Sequence, residues 1–314
     1  IYYLARFKDN NLLNLIVKKD LSKNVVVIFE PTKVKKKLVI FSGHHDSAFH
    51  MPLFEKTQTK IALIQNGALL GIVMLVISSI WKTIFFITPV VGIKEIFSYS
   101  IGSVSVYWFL LPDLIFILAI LGLVFAFYFL FNMVTKTPLI GANDNLSSVS
   151  ILFALGEYLR DNPPENIEVR LISFGGEEPG LIGSKFYVDN HIDELKDAIN
   201  LNYETVGIGS LGIIAKEKDN NISHCEKLIH FIQEVAEENG YDLPAKEISY
   251  GNSDAGSFSK RKISATTIYG FGQGDVFTLW HSLEDVVANL DEKTLEDTRK
   301  ISIKLIEKLN ADNS

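Results

Sequence analysis

Two kinds of apolar pattern alternate along the chain. Short runs of β-branched and aromatic residues, bounded by polar or glycine positions, read as strands: "NVVVIFE" (24–30), "KLVIFSG" (37–43), "IEVRLISFGG" (167–176), "DAINLNYETVG" (197–207) and "ISATTIYGFG" (263–272). A short basic segment separates the first two, which therefore predict a β-hairpin. Stretches with apolar residues three and four apart predict helices over 146–160, 224–239 and 293–309. The last keeps close to a 3.6-residue period through Leu295, Ile301, Ile303, Leu305, Ile306 and Leu309. Strands alternating with helices predict an α/β fold with a mixed, mostly parallel central sheet covered by helices. No internal repeat is visible.

Residues 61–134 follow neither pattern. Ile61 to Trp81 is a run of 21 residues without a charge, flanked by Lys60 and Lys82. Leu114 to Phe131 is a run of 18 residues without a polar side chain other than Tyr128. About 20 such residues in a helix cross a hydrocarbon core of about 30 Å. Pro112 and Asp113 suit a helix start, where orphan backbone donors and the dipole favour them. A buried core helix would keep some polar face over this length. The stretch 83–93 is apolar but short and holds Pro89 and Gly92, so it reads as an interfacial or re-entrant piece. Two spans return the chain to the side it left. The expected organisation is one discontinuous domain, 1–60 with 135–314, carrying an inserted α-helical membrane hairpin, 61–134. The protein is then multi-pass, with a lipid bilayer as one partner. Lys56, Lys60 and Lys136 on one side and Lys82 and Lys94 on the other do not set the orientation.

Composition adds three limits. Apolar residues make up 47% of the 314 and the mean hydropathy is +0.20, an excess concentrated in 61–134. A net charge of −7 argues against a nucleic-acid partner, since phosphates would go unneutralised. The single cysteine, Cys225, excludes an internal disulfide and a cysteine-rich zinc site. The chain begins with Ile1 rather than Met, which reads as a fragment or a processed product.

Four stretches concentrate chemistry: "GHHDS" (43–47), "GANDN" (141–145), "FGGEEPGLIGS" (174–184) and "WHSLED" (280–285). Each follows a predicted strand or lies in a loop, and ligands of open α/β sheets bind at the carboxyl ends of strands. Carboxylates and imidazoles gathered there repel one another unless a cation or protons compensate. Histidine with Asp and Glu suits zinc. Singly, each stretch has an ordinary reading: "GANDN" as a turn, "GGEE" as a solvated helix start, a lone loop histidine as a surface residue.

Together and in order, these stretches resemble the co-catalytic zinc exopeptidases that include aminopeptidase Y, the secreted bacterial aminopeptidases and the glutamate carboxypeptidases. The resemblance covers most of 20–60 and 138–314, and also includes an acid before "VG", "SDAGSF" (253–258) and the late histidine followed by an acid. It implies two zinc ions. His44, Asp144 and Glu204 would form one ligand set, and Asp144, Glu178 and His281 the other, with Asp144 shared. Many relatives carry Asp where this chain has Glu204, and Asn202 nearby is neutral. Asp46 would orient His44 and fix its tautomer, while His45 would point away. Glu177 matches the general base and Tyr250 an oxyanion donor of some relatives. Asp254 would orient its loop, and Asp285 would hold the loop of His281. His50 has no counterpart and reads as a surface residue near the site.

The resemblance further implies an aminopeptidase acting on peptides with a free N-terminus through a metal-activated water. Two alternatives stand beside it: a glutaminyl cyclase-like zinc acyltransferase with one catalytic metal, and a non-catalytic membrane scaffold of the same fold. Relatives usually join the "HHD" and "GANDN" motifs by a short loop, whereas here His44 and Asp144 lie 100 positions apart.

Overall fold

The computed structural model describes residues 21–52, 61–87, 95–101, 103–218, 220–249, 251–272 and 279–312. In chain order the elements are β1 (Val25–Phe29), β2 (Lys37–His44), α1 (Ile61–Ile87), β3 (Glu95–Ile101), β4 (Val104–Phe109), α2 (Leu110–Met133) and α3 (Ser147–Asp161). Then follow β5 (Ile167–Phe174), α4 (Ile182–Asn190), β6 (Ile199–Glu204), β7 (Ser210–Glu217), β8 (Ile222–Ser223) and α5 (Glu226–Glu238). The chain closes with β9 (Ala245–Ile248), α6 (Ala255–Ser259), β10 (Ser264–Phe271) and α7 (Glu292–Asp312). It divides into two compact units, Ile1–Ala48 with Pro138–Ser314, and Phe49–Thr137.

The larger unit is built on a sheet of order β1-β5-β2-β6-β10-β7-β8, with β9 beside β7. Its centre, β5-β2-β6-β10, is parallel throughout, while β1 and β7 join antiparallel. Central strands are covered on both faces, so their side chains sort alternately into two cores. Val39 and Phe41 of β2 pack with Leu155, Ile232 and Leu305 of α3, α5 and α7. Leu38 and Ile40 pack with Val188 and Phe258 of α4 and α6.

β1 and β2 do not form the expected hairpin. β5 lies between them, antiparallel to β1 and parallel to β2. The connecting segment crosses the start of β5 instead of turning back: the N–H groups of Thr32, Lys33 and Lys36 donate to the carbonyls of Pro164, Glu165 and Asn166. The strands of residues 167–174, 199–204 and 264–271 and the helices α3, α5 and α7 lie where the pattern places them.

In the smaller unit α1 and α2 pack antiparallel against each other. Gly71 and Gly122 meet backbone to backbone, and a Cβ on either would collide with the other helix. Their outer surfaces are apolar and exposed, as at Leu69, Val73, Ile80, Leu121, Phe125 and Phe131. Both helices are long and apolar enough to cross a membrane, over 66–84 and 111–133, and only 17% and 6% of those windows are buried. Residues 83–87 continue α1, and 88–94 lie outside the described residues. The antiparallel pair β3–β4 had no signal apart from the surrounding apolar run.

Candidate metal centre

Every predicted ligand in the larger unit sits at the carboxyl end of a parallel strand or in a loop fixed there. His44 is the last residue of β2, Glu204 the last of β6, and Glu177–Glu178 follow β5. Asp144 lies in a single irregular turn, 142–146, entered through Gly141 at φ 66. A side chain at Gly141 would also strike the Asp144 carbonyl, so only glycine serves there. The Asp144–Asn145 peptide is cis. Asn143 and Asn145 tie this turn to the end of β6, accepting from the N–H groups of Gly207 and Thr205 at 2.9 and 3.2 Å. His281 has φ 54, an uncommon conformation that places backbone strain at the site.

The two predicted ligand sets converge. His44 Nε2 lies 3.1 Å from Glu204 Oε1 and 3.3 Å from Asp144 Oδ1. His281 Nε2 lies 3.2 Å from Glu178 Oε2 and 3.4 Å from Asp144 Oδ2. Asp144 thus turns one oxygen to each imidazole. In each set the candidate donor atoms lie within 4.8 Å of one another. Each set also holds a buried oxygen without a hydrogen-bond partner, Glu204 Oε2 in one and Glu178 Oε1 in the other. Buried polar atoms are ordinarily satisfied, and a cation held by either set would satisfy its orphan. Imidazole and carboxylate donors fit zinc.

The electrostatics say the same. Burial raises the Glu177 and Glu178 carboxyls, with Glu204 and Asp144 respectively adding repulsion. Burial pushes Glu204 up to about 8 against the pull of His44. Burial alone would lower both imidazoles, but Glu204 and Glu177 raise His44 well above its ordinary value, and Asp144 and Glu178 bring His281 to about 9. Burial would raise Asp144, yet its bonds to His281 and His44 hold it below the usual carboxylate range. A divalent cation in each set would offset this crowding of buried carboxylates.

Two further carboxylates act as clamps. Asp46 accepts the N–H of Glu177 at 3.1 Å on one oxygen and that of Glu178 at 3.2 Å on the other. Asp285 accepts the N–H of Asn143 at 2.6 Å and that of Asp144 at 3.1 Å. Asp46 therefore reaches His44 mainly through its backbone: its carbonyl is 2.9 Å from Nδ1 and its carboxylate 3.7 Å. Asp285 holds the turn of Asp144, rather than only its own loop. His45 is exposed and bonds Ser173, away from the ligands. Asn202 is buried and accepts from Ser42 at 2.9 Å. Asp254 is fully buried and outside both sets; burial pushes its carboxyl up to about 6. Tyr250 lies outside the described residues. His50 belongs to the smaller unit, where its backbone exchanges hydrogen bonds with Thr135 and Thr137.

Nothing in the sequence singles out Glu217, the last residue of β7. It is fully buried. Its Oε1 accepts from the Ser253 N–H at 3.0 Å and hydroxyl at 2.7 Å and lies 3.2 Å from His224 Nε2. Thr267 donates to the Ser253 hydroxyl, extending the network to β10. Glu217 therefore anchors the start of the 253–258 motif. Replacing it by alanine strands these buried donors and is expected to cost about 3 kcal/mol of stability. Thermal unfolding measures this, and a loss under about 0.5 kcal/mol would show the network dispensable.

Comparison with known proteins agrees with this geometry. The family described as peptidase family M28 matches residues 130–306, more than half of the chain. That stretch contains Asp144, Glu177, Glu178, Glu204 and His281, while His44 and Asp46 precede the inserted unit. Aminopeptidase YwaD of Bacillus subtilis is 30% identical over 165 residues, 50% of this chain and 35% of the relative. Among solved structures, BSAP, a zinc aminopeptidase from Bacillus subtilis, superposes with a TM-score of 0.55 at 18% identity, covering 91% of this chain and 49% of that one. Bacteroides thetaiotaomicron glutaminyl cyclase superposes with a TM-score of 0.56 at 13% identity, covering 90% and 76%. The chain thus spans about a third of the curated relative and half of the aminopeptidase structure, and the structural likenesses speak for the fold alone. With the family match over 130–306 and the convergent acids and histidines, the chain belongs to peptidase family M28.

Proposed function

We propose that the protein is a membrane-anchored, zinc-dependent aminopeptidase of the two-metal type. The observation that carries this reading is Asp144, whose two carboxylate oxygens face different histidines at 3.3 and 3.4 Å. A carboxylate so placed can bridge two cations. His44, Asp144 and Glu204 would hold one, and Asp144, Glu178 and His281 the other. Zinc, when bound, supplies Lewis-acid polarisation of a scissile carbonyl and a lowered pKa for water.

The chain's own residues supply the rest. Glu177 belongs to neither set, yet its Oε2 lies 3.8 Å from His44 Nε2, at the edge of the centre. As general base it takes a proton from the attacking water and returns it to the leaving amine. Asp46 fixes its reach by holding the Glu177–Glu178 backbone. Glu178 and Glu177 can serve different roles because adjacent side chains leave this turn in different directions. The exposed apolar surfaces of α1 and α2 support the anchor, since a core helix would be covered.

Glutaminyl cyclase is the competing reading, because that fold superposes equally well. One preparation separates the two. The aminopeptidase reading expects about two zinc ions per chain and release of free amino acid from aminoacyl chromogenic substrates. Ring closure of an N-terminal glutamine peptide without residue release would establish the cyclase. Protein without stoichiometric zinc or either activity would be a scaffold.

A further inference from the structure

Exposed apolar side chains of the larger unit gather beside the candidate metal centre. We propose that this patch is a seat for a zwitterionic lipid surface, so that the rim of the centre rests on the bilayer. This rests on the reading of α1 and α2 as membrane spans.

Single exposed apolar residues are ordinary on any protein surface, whereas a cluster calls for a partner. Ile140, Leu146, Phe153, Leu283 and Val287 are exposed by 58, 41, 75, 51 and 69%. They come from two segments that the structure binds together. Asp285 accepts the N–H groups of Asn143 and Asp144 on its carboxylate, and the Ala142 N–H points at its carbonyl. Farther along, Leu290 and Ser147 both border Gly207. Leu146, at the head of α3, and Phe153, seven positions on, lie along one stripe of that helix. The patch also follows the ligands closely. Asp144 stands between Ile140 and Leu146, and His281 is two positions from Leu283.

The patch's place in the chain and its chemistry choose the occupant. α2 ends at Met133, and seven residues lead from there to Ile140. Fully extended, seven residues reach about 25 Å. The covalent link alone therefore keeps Ile140 near the end of a span. Exposed apolar side chains recur along the link, at Phe131 and Val134 on the returning strand and at Phe49 on the outgoing one. A soluble partner would not require a patch to follow a span so closely. Neither 140–159 nor 279–292 holds a Lys or Arg. Attraction to anionic headgroups, which needs such cations, is then no part of the contact. The exposed acid Glu284 turns anionic lipid away. What is left is apolar burial in the interface of a zwitterionic bilayer.

Fluorescence quenching by lipid tests this in the full chain, with Cys225→Ser as background, in phosphatidylcholine vesicles. Single cysteines at 140, 153, 283 and 287 carry an environment-sensitive nitrobenzoxadiazole label, and part of the lipid carries a nitroxide at the headgroup or just below it. Labels at Val73 and Val124, exposed on the helices, report on the spans. Labels at Asp161 and Glu238, exposed at the ends of α3 and α5, report on open water. The expected result is a loss of emission at 140, 153, 283 and 287 and none at 161 and 238. Ile140→Ser combined with Val287→Ser should weaken the quenching at 153 and 283. Quenching at 73 and 124 without quenching at the patch overturns the proposal and leaves the spans intact. Patch labels shielded from aqueous iodide but unquenched by lipid assign the patch to a protein surface, such as a second copy, and also overturn it. Quenching that appears only when phosphatidylglycerol is added overturns the choice of a zwitterionic surface. No quenching at 73 and 124 removes the spans and the proposal together. Each outcome is read without turnover, so a failure of the zinc aminopeptidase reading stays separate.

Discussion

Replacing Glu177 by glutamine is expected to lower turnover by about 10²–10⁴-fold, the usual worth of a general base, while zinc content stays unchanged. The separation follows from the site's layout. Glu177 stands outside both ligand groups, and the backbone N–H through which Asp46 holds it is untouched by the substitution. Glutamine keeps the size of the side chain but cannot accept the proton. Asp144→Asn is the informative contrast: it weakens the group shared by both sets, so metal and activity should fall together. Kinetics with metal analysis on both variants decides the matter. Near-normal kcat in Glu177→Gln would remove Glu177 from the reaction, and lost zinc would make it a ligand.

Metal-stripped protein should become less stable as pH rises, the reverse of ordinary acid denaturation. Glu204 titrates near 8 in the folded chain against an ordinary 4.5, and Glu177 and Glu178 are shifted the same way. His281 titrates near 9 against 6.5, and His44 is also raised. Taken together, the folded site holds protons, shared between each imidazole and its carboxylates, that the unfolded chain has released. Stability rises with pH only where the unfolded state binds more, so here it falls. The carboxyl contribution is lost as pH rises from 4.5 through about 8, and the imidazole contribution from 6.5 through about 9. Asp144, depressed below its ordinary 3.8, has the opposite sign but acts only in strong acid. Between pH 5 and 9, Tm of the stripped protein should drop by on the order of 10 °C. Added zinc should restore more of it at pH 8 than at pH 5.5, because bound cations replace the missing protons. A Tm that is flat or rises over this range would refute the account.

Sequence carries the parts of this fold that depend on local composition. β5, β6 and β10 announce themselves through β-branched runs, and α7 through its spacing. The β1–β2 pairing failed because strand partnership is a long-range property. Nothing in 24–43 records that residues 167–174 will insert between the two runs. β7 was missed because Gly212, Lys216 and Glu217 dilute its apolar pattern, and β3–β4 because they lie inside an apolar stretch dominated by helices. The candidate ligands were legible through the resemblance of the motifs, taken in order, to the zinc exopeptidases, since each motif alone has an ordinary reading. What sequence could not give was the direction of support. That Asp46 holds the glutamate pair, and Asp285 the turn of Asp144, depends on backbone N–H groups that no side-chain pattern encodes.

The insertion point has a consequence of its own. Leu139 donates its N–H to the Ala48 carbonyl at 3.1 Å, and Ser47 Oγ donates to the Leu139 carbonyl at 2.9 Å, so the chain leaves and re-enters the larger unit at a stitched seam. A segment joined at such a seam adds to the chain without interrupting any strand of the larger unit's sheet. Removing it at the same seam should leave the strands and candidate ligands of the larger unit in one continuous fold.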